Sequence, residues 1–219
     1  INFGSESSFK FEIDNRLKIK KIEVDSLIKL KNLILKNNFK VNKFFPKIKE
    51  ELQFENHNIK LDYNDKNFIL EGAGKILFQE NYDEIKYTLK KEKEKINFIT
   101  KLDILKNIIE IDFLNYQKNL ENDLTINISG NKTLDGKIFF KEISFKEKEN
   151  NFLISNLSLG KNLKIHGFKN IELTYKDKDS LINKIDIKKK KNYYSLSGES
   201  LNLSHIVNEF LKFDNNKDK

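Results

Sequence analysis

The chain has 219 residues, 41 Lys+Arg against 33 Asp+Glu, a formal net charge of +8, a single Pro and no Cys, Met or Trp. That length allows one large domain or two small ones. The absence of Cys excludes a disulfide scaffold, a zinc finger, a thiol nucleophile and an iron–sulfur site. Ile1 at the start, with no Met anywhere, predicts a piece of a longer chain.

Charged residues make up 34% and hydrophobic residues 38%, a balance that also occurs in disordered chains. The 18 Phe and 7 Tyr, and the strict patterning of the apolar residues, argue for a folded domain instead. Arg16 is the only Arg, so the basic balance reads mainly as the Lys, Asn and Ile bias of an AT-rich genome. No stretch approaches the roughly 18 apolar residues of a membrane span.

Taken in chain order, the apolar residues repeat with period two. Phe9, Phe11 and Ile13 begin the series. Around residues 41–54 the pattern breaks, and Pro46 ahead of Ile48 and Leu52 predicts a short helix. Alternation resumes at Ile59, Leu61 and Tyr63, then at Ile76 and Phe78, at Ile85, Tyr87 and Leu89, and at Ile96 and Phe98. It continues through Ile109, Ile111 and Phe113, through Leu124, Ile126 and Ile128, and through Ile138 and Phe140. Ile171, Leu173, Tyr175, Ile185 and Ile187 close it. Successive strand side chains face opposite ways, so each segment has one oily and one wet face. Turn-forming clusters separate the runs, among them Asn64-Asp65-Lys66-Asn67, Lys91-Glu92-Lys93-Glu94 and Leu134-Asp135-Gly136. About fifteen strands follow from this spacing. Near the end, Ser204 as N-cap with Ile206, Val207, Phe210 and Leu211 on one face predicts a short amphipathic helix.

Some fifteen strands served by one Pro and eight Gly fit one continuous sheet better than a sandwich. The expected fold is mainly β, a long antiparallel meander forming one twisted, curled sheet, an open β-groove, with one or two short helices. Residues 1–212 form a single elongated segment and 213–219 a frayed tail. A groove without a second layer exposes a long apolar surface, whose natural ligand is an acyl chain. The residues expected to line it are Phe9, Phe11, Ile59, Leu61, Ile76, Phe78, Ile96, Phe98, Ile126, Ile128, Phe140, Leu173 and Tyr175. For each of them the ordinary alternative is a place in a dry β-core.

The run Tyr193-Tyr194-Ser195-Leu196-Ser197-Gly198-Glu199-Ser200-Leu201-Asn202-Leu203-Ser204 has the form φ-x-φ-x-G-x-x-φ-x-φ and leads into the helix expected at His205. Together with the short alternating strands of residues 138–175, it resembles the AsmA-like group of bacterial envelope proteins, which includes YhdP- and TamB-type proteins. The resemblance implies a segment of a periplasmic bridge-like lipid transfer protein. Its groove would carry phospholipid acyl chains between the inner and outer membranes. An inner-membrane anchor would lie in a part of the protein not present here, and other envelope proteins are possible partners. That family has no catalytic residues to carry over. Two alternatives stand beside it: a lipopolysaccharide-transport-like bridge of β-jellyroll units, and a purely structural β-solenoid or adhesin-like module.

Other motifs read as structural. His57, His166 and His205 show no metal-ligand spacing, and His57 and His166 are expected near turns. Gly72-Ala73-Gly74 lacks the third Gly of a dinucleotide loop and is expected to be a turn or bulge. Ser129-Gly130 and Ser197-Gly198 read as strand ends. Lys188 to Lys191 read as a solvated hairpin tip. Nucleic acid is not an expected partner, because the aromatics alternate away from the lysines. No nucleophile–base–orienter set can be assembled, so neither an enzyme nor a cofactor is expected.

Overall fold

The computed structural model describes residues 1–36 and 47–202. The helix expected around His205 and the tail at 213–219 lie outside these residues, as does Pro46. The chain forms β1 (Asn2–Ile13), β2 (Ile19–Lys36), β3 (Glu51–Asn64), β4 (Asn67–Leu77), β5 (Tyr82–Glu92), β6 (Lys95–Ile104), β7 (Glu110–Ile111), β8 (Tyr116–Gln117), β9 (Leu124–Thr133), β10 (Ile138–Glu147), β11 (Asn150–Leu159), β12 (Ile165–Gly167), β13 (Asn170–Lys176), β14 (Ile182–Lys189) and β15 (Tyr194–Ser200). Twelve strands follow one another across a single antiparallel sheet in the order β1-β2-β3-β4-β5-β6-β9-β10-β11-β13-β14-β15, with β12 paired on β11. The sheet is an open meander and does not close into a barrel.

The register puts the apolar rows on one face. Phe9 pairs with Val24, Ile59 with both Ile28 and Gly72, Leu89 with Phe98, and Ile128 with both Thr100 and Ile143. The rows survive two breaks in the alternation. In β3, Asn56 takes a left-handed φ of 54°, so that residues 56 and 57 together oppose one position of β4. In β10 and β11, Lys141 and Asn156 (φ 54°) leave the register at the same level. Asn tolerates this backbone better than most residues. Each bulge returns the next apolar side chain to the same face and bends the strand.

The sequence of residues 105–123 differs from its surroundings. Ile108, Ile109, Ile111, Leu114 and Tyr116 are too apolar to lie in a strand wet on one side. The segment leaves the sheet after β6 and rejoins it at β9. Between these points it folds into the β7–β8 pair around a 3-10 turn at Asp112–Leu114, and it plugs one end of the apolar face. This corrects the strand expected through Ile109, Ile111 and Phe113: the two Ile are buried, whereas Phe113 is exposed. The plug is tied on both sides. Glu110 meets Lys47 ahead of β3, and the Asn115 carbonyl accepts from the Lys178 N–H after β13. From β3 to β13 is seven ladder steps, roughly 34 Å if the sheet were flat. One small hairpin reaches both, so the sheet curls around it.

Three further expectations are corrected. Glu51 already belongs to β3, and residues 47–50 are turn or irregular, so no helix runs through the described part of 41–54. Of turn or bulge, only the turn is corrected: Gly72-Ala73-Gly74 lies in the middle of β4, with Gly74 opposite the β3 bulge at residues 56 and 57. It can do so because neighbouring rings fill the missing side-chain space. A Cβ on Gly72 would sit 2.5 Å from the Tyr87 hydroxyl, and one on Gly74 would sit 2.5 Å from His57 Cγ. Gly130 and Gly198 likewise lie inside β9 and β15, not at their ends.

Candidate functional site: the concave apolar face

The core occupies only one end of the sheet. Ile109, Ile111 and Tyr116 from the plug pack with Ile76, Phe78, Ile104, Leu124, Phe145, Phe152 and Tyr175. Edge-to-face contacts set Tyr116 against Phe145 at 5.8 Å and Phe152 at 5.0 Å, a favoured aromatic geometry.

Polar groups lock the plug down. Glu147, only 1% exposed, accepts hydrogen bonds from the Tyr116 hydroxyl (2.7 Å), the Asn119 N–H (2.8 Å), Asn150 Nδ2 (2.8 Å) and Asn122 Nδ2 (3.2 Å). The equally buried Lys118 donates to the carbonyls of Leu105 and Asn119. Burial holds its ammonium below the ordinary lysine value, while the charges of Glu147 and Asp83 push the other way. Burial also raises the Asp83 carboxyl, opposed by its bonds from Asn107 and the Leu105 N–H.

Beyond the plug no second layer covers the same face among the described residues. Ile59, Leu61, Ile96, Phe98, Ile128 and Phe140 are half-buried, standing on the concave side of the sheet. Ile126 and Leu173 are also half-buried but touch the core. Among the described residues twelve hydrophobic side chains are buried and twenty-five large ones are exposed, on both faces, at the edges and in turns. At the β1 edge Phe9 is 71% and Phe11 47% exposed.

The register places twelve of the thirteen expected lining residues on this one face, while Phe78 lies just past the end of β4. They do not form one uniform surface. Ile76, Phe78 and Tyr175 are buried beneath or beside the plug and belong to the core. Phe9 and Phe11 stand on the outlying edge. The remaining eight lie along the face between plug and edge.

Sequence alternation missed contributors on β2 and β11. In β2 the polar Ser26 interrupts the row between Val24 and Ile28, and in β11 the bulge at Asn156 hides Ile154 and Leu157. His57 sits in a mid-strand bulge, 1% exposed, with its ring nitrogens 3.1 Å from the Tyr87 hydroxyl and 2.9 Å from the Lys75 carbonyl. It is thus a structural residue of the concave face, which corrects its expected position near a turn. His166 lies exposed in the short β12.

The opposite face carries a hollow of about 500 Å³ over β2–β6, between Leu27, Ala73 and Ile99 and flanked by Lys29, Lys60 and Lys86. It spans two side-chain rows, whereas the concave apolar rows run across eight strands and meet a closed end.

Burial raises the Tyr175 phenol to about 12, helped by Asp177, and lifts Tyr116 and Tyr87 as well. A phenol raised in the folded chain keeps its proton where the unfolded chain has lost it. Its stabilising share is complete below the ordinary value near 10 and is lost as pH rises toward 12. Urea midpoints measured across that interval should fall steadily. Phenolate absorbance should show a group of tyrosines that titrate only as the chain unfolds.

Among the described residues no group of three or more His, Asp or Glu side chains could hold a metal ion, and no helix is long and apolar enough to cross a membrane. No family model, curated protein or solved structure matches the chain. Fold and site therefore define it as an open, curled antiparallel sheet with an apolar concave face closed at one end.

Proposed function

We propose that the chain binds lipid, with acyl chains laid along the concave face, and serves as a segment of a bridge-like lipid transfer protein of the bacterial periplasm. One observation carries this reading: among the described residues, a single apolar face is sealed by the plug at one end and left half-open, without a second layer, over the rest of its length. From Phe145 at the plug to Ile138 at the far end of β10 is seven residues, about 24 Å of strand. Each methylene removed from water along it contributes about 0.8 kcal/mol, before the cost of immobilising the chain. The face makes no sequence of fixed polar contacts, so it suits a ligand that slides. A bridge between two membranes needs the groove to continue beyond this segment. β1 and β15, which end the ladder among the described residues, are the edges across which it would continue.

A jellyroll bridge would pair two sheets, and a solenoid would stack parallel coils; the single antiparallel meander favours the open groove. Native mass spectrometry of the purified chain, followed by extraction and identification of bound lipid, tests the proposal. Co-purified acyl lipid at near one per chain is expected. A soluble, lipid-free protein that takes up nothing from phospholipid vesicles would overturn it.

A further inference from the structure

Charge on the concave face is segregated along the strands. Asp83 and Glu147 share this face with Ile76 and Phe145, and both lie at the plugged end, where donors from the plug satisfy them. The lysines of the face lie at the opposite end. Lys91 on β5 and Lys132 on β9 pair from either side with Ile96, two ladder steps apart. Lys189 on β14 continues the row of Ile185 and Ile187 toward the same mouth. Among the described residues none of the three is in an ion pair, although seven other lysines are. Acids do occur near the mouth, but in turns or on the outer face. Glu92 is held by Lys90, Asp135 by Lys137, and Glu94 is exposed in the β5–β6 turn.

We infer that the groove takes an anionic acyl amphiphile in one orientation, its phosphate or carboxylate head at Lys91, Lys132 and Lys189 and its tails toward the plug. This rests on the lipid-binding reading above and adds to it a head-group class and a direction. Three physical features converge. The plugged end is packed with buried side chains and has no room for a solvated head, and its one buried ammonium, Lys118, is already engaged by carbonyls and by the charges of Glu147 and Asp83. The mouth offers three lysines that form no ion pair among the described residues, facing the same side as the apolar rows. Between them the face presents hydrocarbon broken only by small or neutral groups such as Thr100 and Gly130. A zwitterionic head carries its own cation and gains less from the lysines.

The test uses the full chain and vesicles of phosphatidylcholine with one part in five phosphatidylglycerol, and in a second arm one part in five oleate. After re-isolation, bound lipid is quantified by mass spectrometry. Wild type is expected to raise the ratio of anionic lipid to phosphatidylcholine about tenfold over that of the vesicles. Enrichment of phosphatidylglycerol alone identifies a phosphate head, and of oleate alone a carboxylate head. The triple variant Lys91→Gln, Lys132→Gln, Lys189→Gln should bind as much lipid in total with no preference. An outer-face control of equal charge change, Lys29→Gln, Lys60→Gln, Lys86→Gln, should keep the preference. Lipid bound by wild type without preference, or a preference that survives in the mouth variant, overturns this inference and leaves the groove standing. No lipid bound by wild type overturns both. Should the mouth variant fold poorly, the single variants Lys91→Gln and Lys132→Gln, each losing part of the enrichment, decide it.

Discussion

Replacing Glu147 by Ala should cost about 3–5 kcal/mol of folding stability, a large part of the roughly 5–15 kcal/mol available to a domain. The side chain is buried and accepts four hydrogen bonds, so its loss strands the Tyr116 hydroxyl, the Asn119 N–H and two side-chain amides at once. Each buried donor left without an acceptor costs about 1–3 kcal/mol. Lys118 makes matters worse, because the nearby Glu147 charge is what favours its buried ammonium. Glu147→Gln keeps the shape and one acceptor oxygen but turns an amide NH2 toward donors, so it should lie between wild type and Ala. Urea unfolding gives the energies. Hydrogen exchange localises them: the Lys118 N–H, bonded to the Ile109 carbonyl, should lose protection well before amides in the middle of β3. A Glu147→Ala protein with an unchanged midpoint would show that the plug does not anchor the sheet.

The sheet was legible because one physical signal dominates it. A strand wet on one side must alternate, and from Ile59 to Phe98 the chain does so almost without error. Three kinds of feature were hidden. The plug was hidden because Ile109 and Ile111 keep period two by accident, while their burial comes from leaving the sheet and packing on Tyr116. The bulges were hidden because Asn56 and Asn156 look like polar residues in a strand, and only their left-handed backbone shows that they reset the rows. The mid-strand glycines were misplaced for a related reason. Gly normally weakens a strand, but here Tyr87 and His57 occupy the space above Gly72 and Gly74, a relation between strands that local pattern cannot contain. The same blindness explains why alternation groups twelve of the thirteen expected residues on one face but does not divide them by depth. Alternation tells which side a residue faces, and only the position of the plug tells whether Tyr175 is sealed or Phe140 is open.

That division decides where the groove can be attacked. Ile126 touches the plug core, so a charge there would confuse unfolding with loss of ligand. Ile128 lies one row further out, half-buried between Thr100 and Ile143. Ile128→Asp sets a carboxylate under any acyl chain that crosses β9. The free protein can hydrate that group through the open face; the loaded one cannot, and an unpaired charge in an apolar site is strongly disfavoured. Lipid affinity should fall at least a hundredfold, about 3 kcal/mol, with a much smaller change in the urea midpoint. Asn127→Asp adds the same charge one residue away on the outer face, beside Lys101, and should bind lipid as wild type does. Thr100→Phe provides an uncharged version of the experiment, filling the groove beside Ile128 and shortening the chain it can hold. Native mass spectrometry after vesicle incubation reads all three. If Ile128→Asp folds and still carries lipid at wild-type occupancy, the acyl chain does not lie on the concave face, and the hollow between Leu27, Ala73 and Ile99 becomes the place to look.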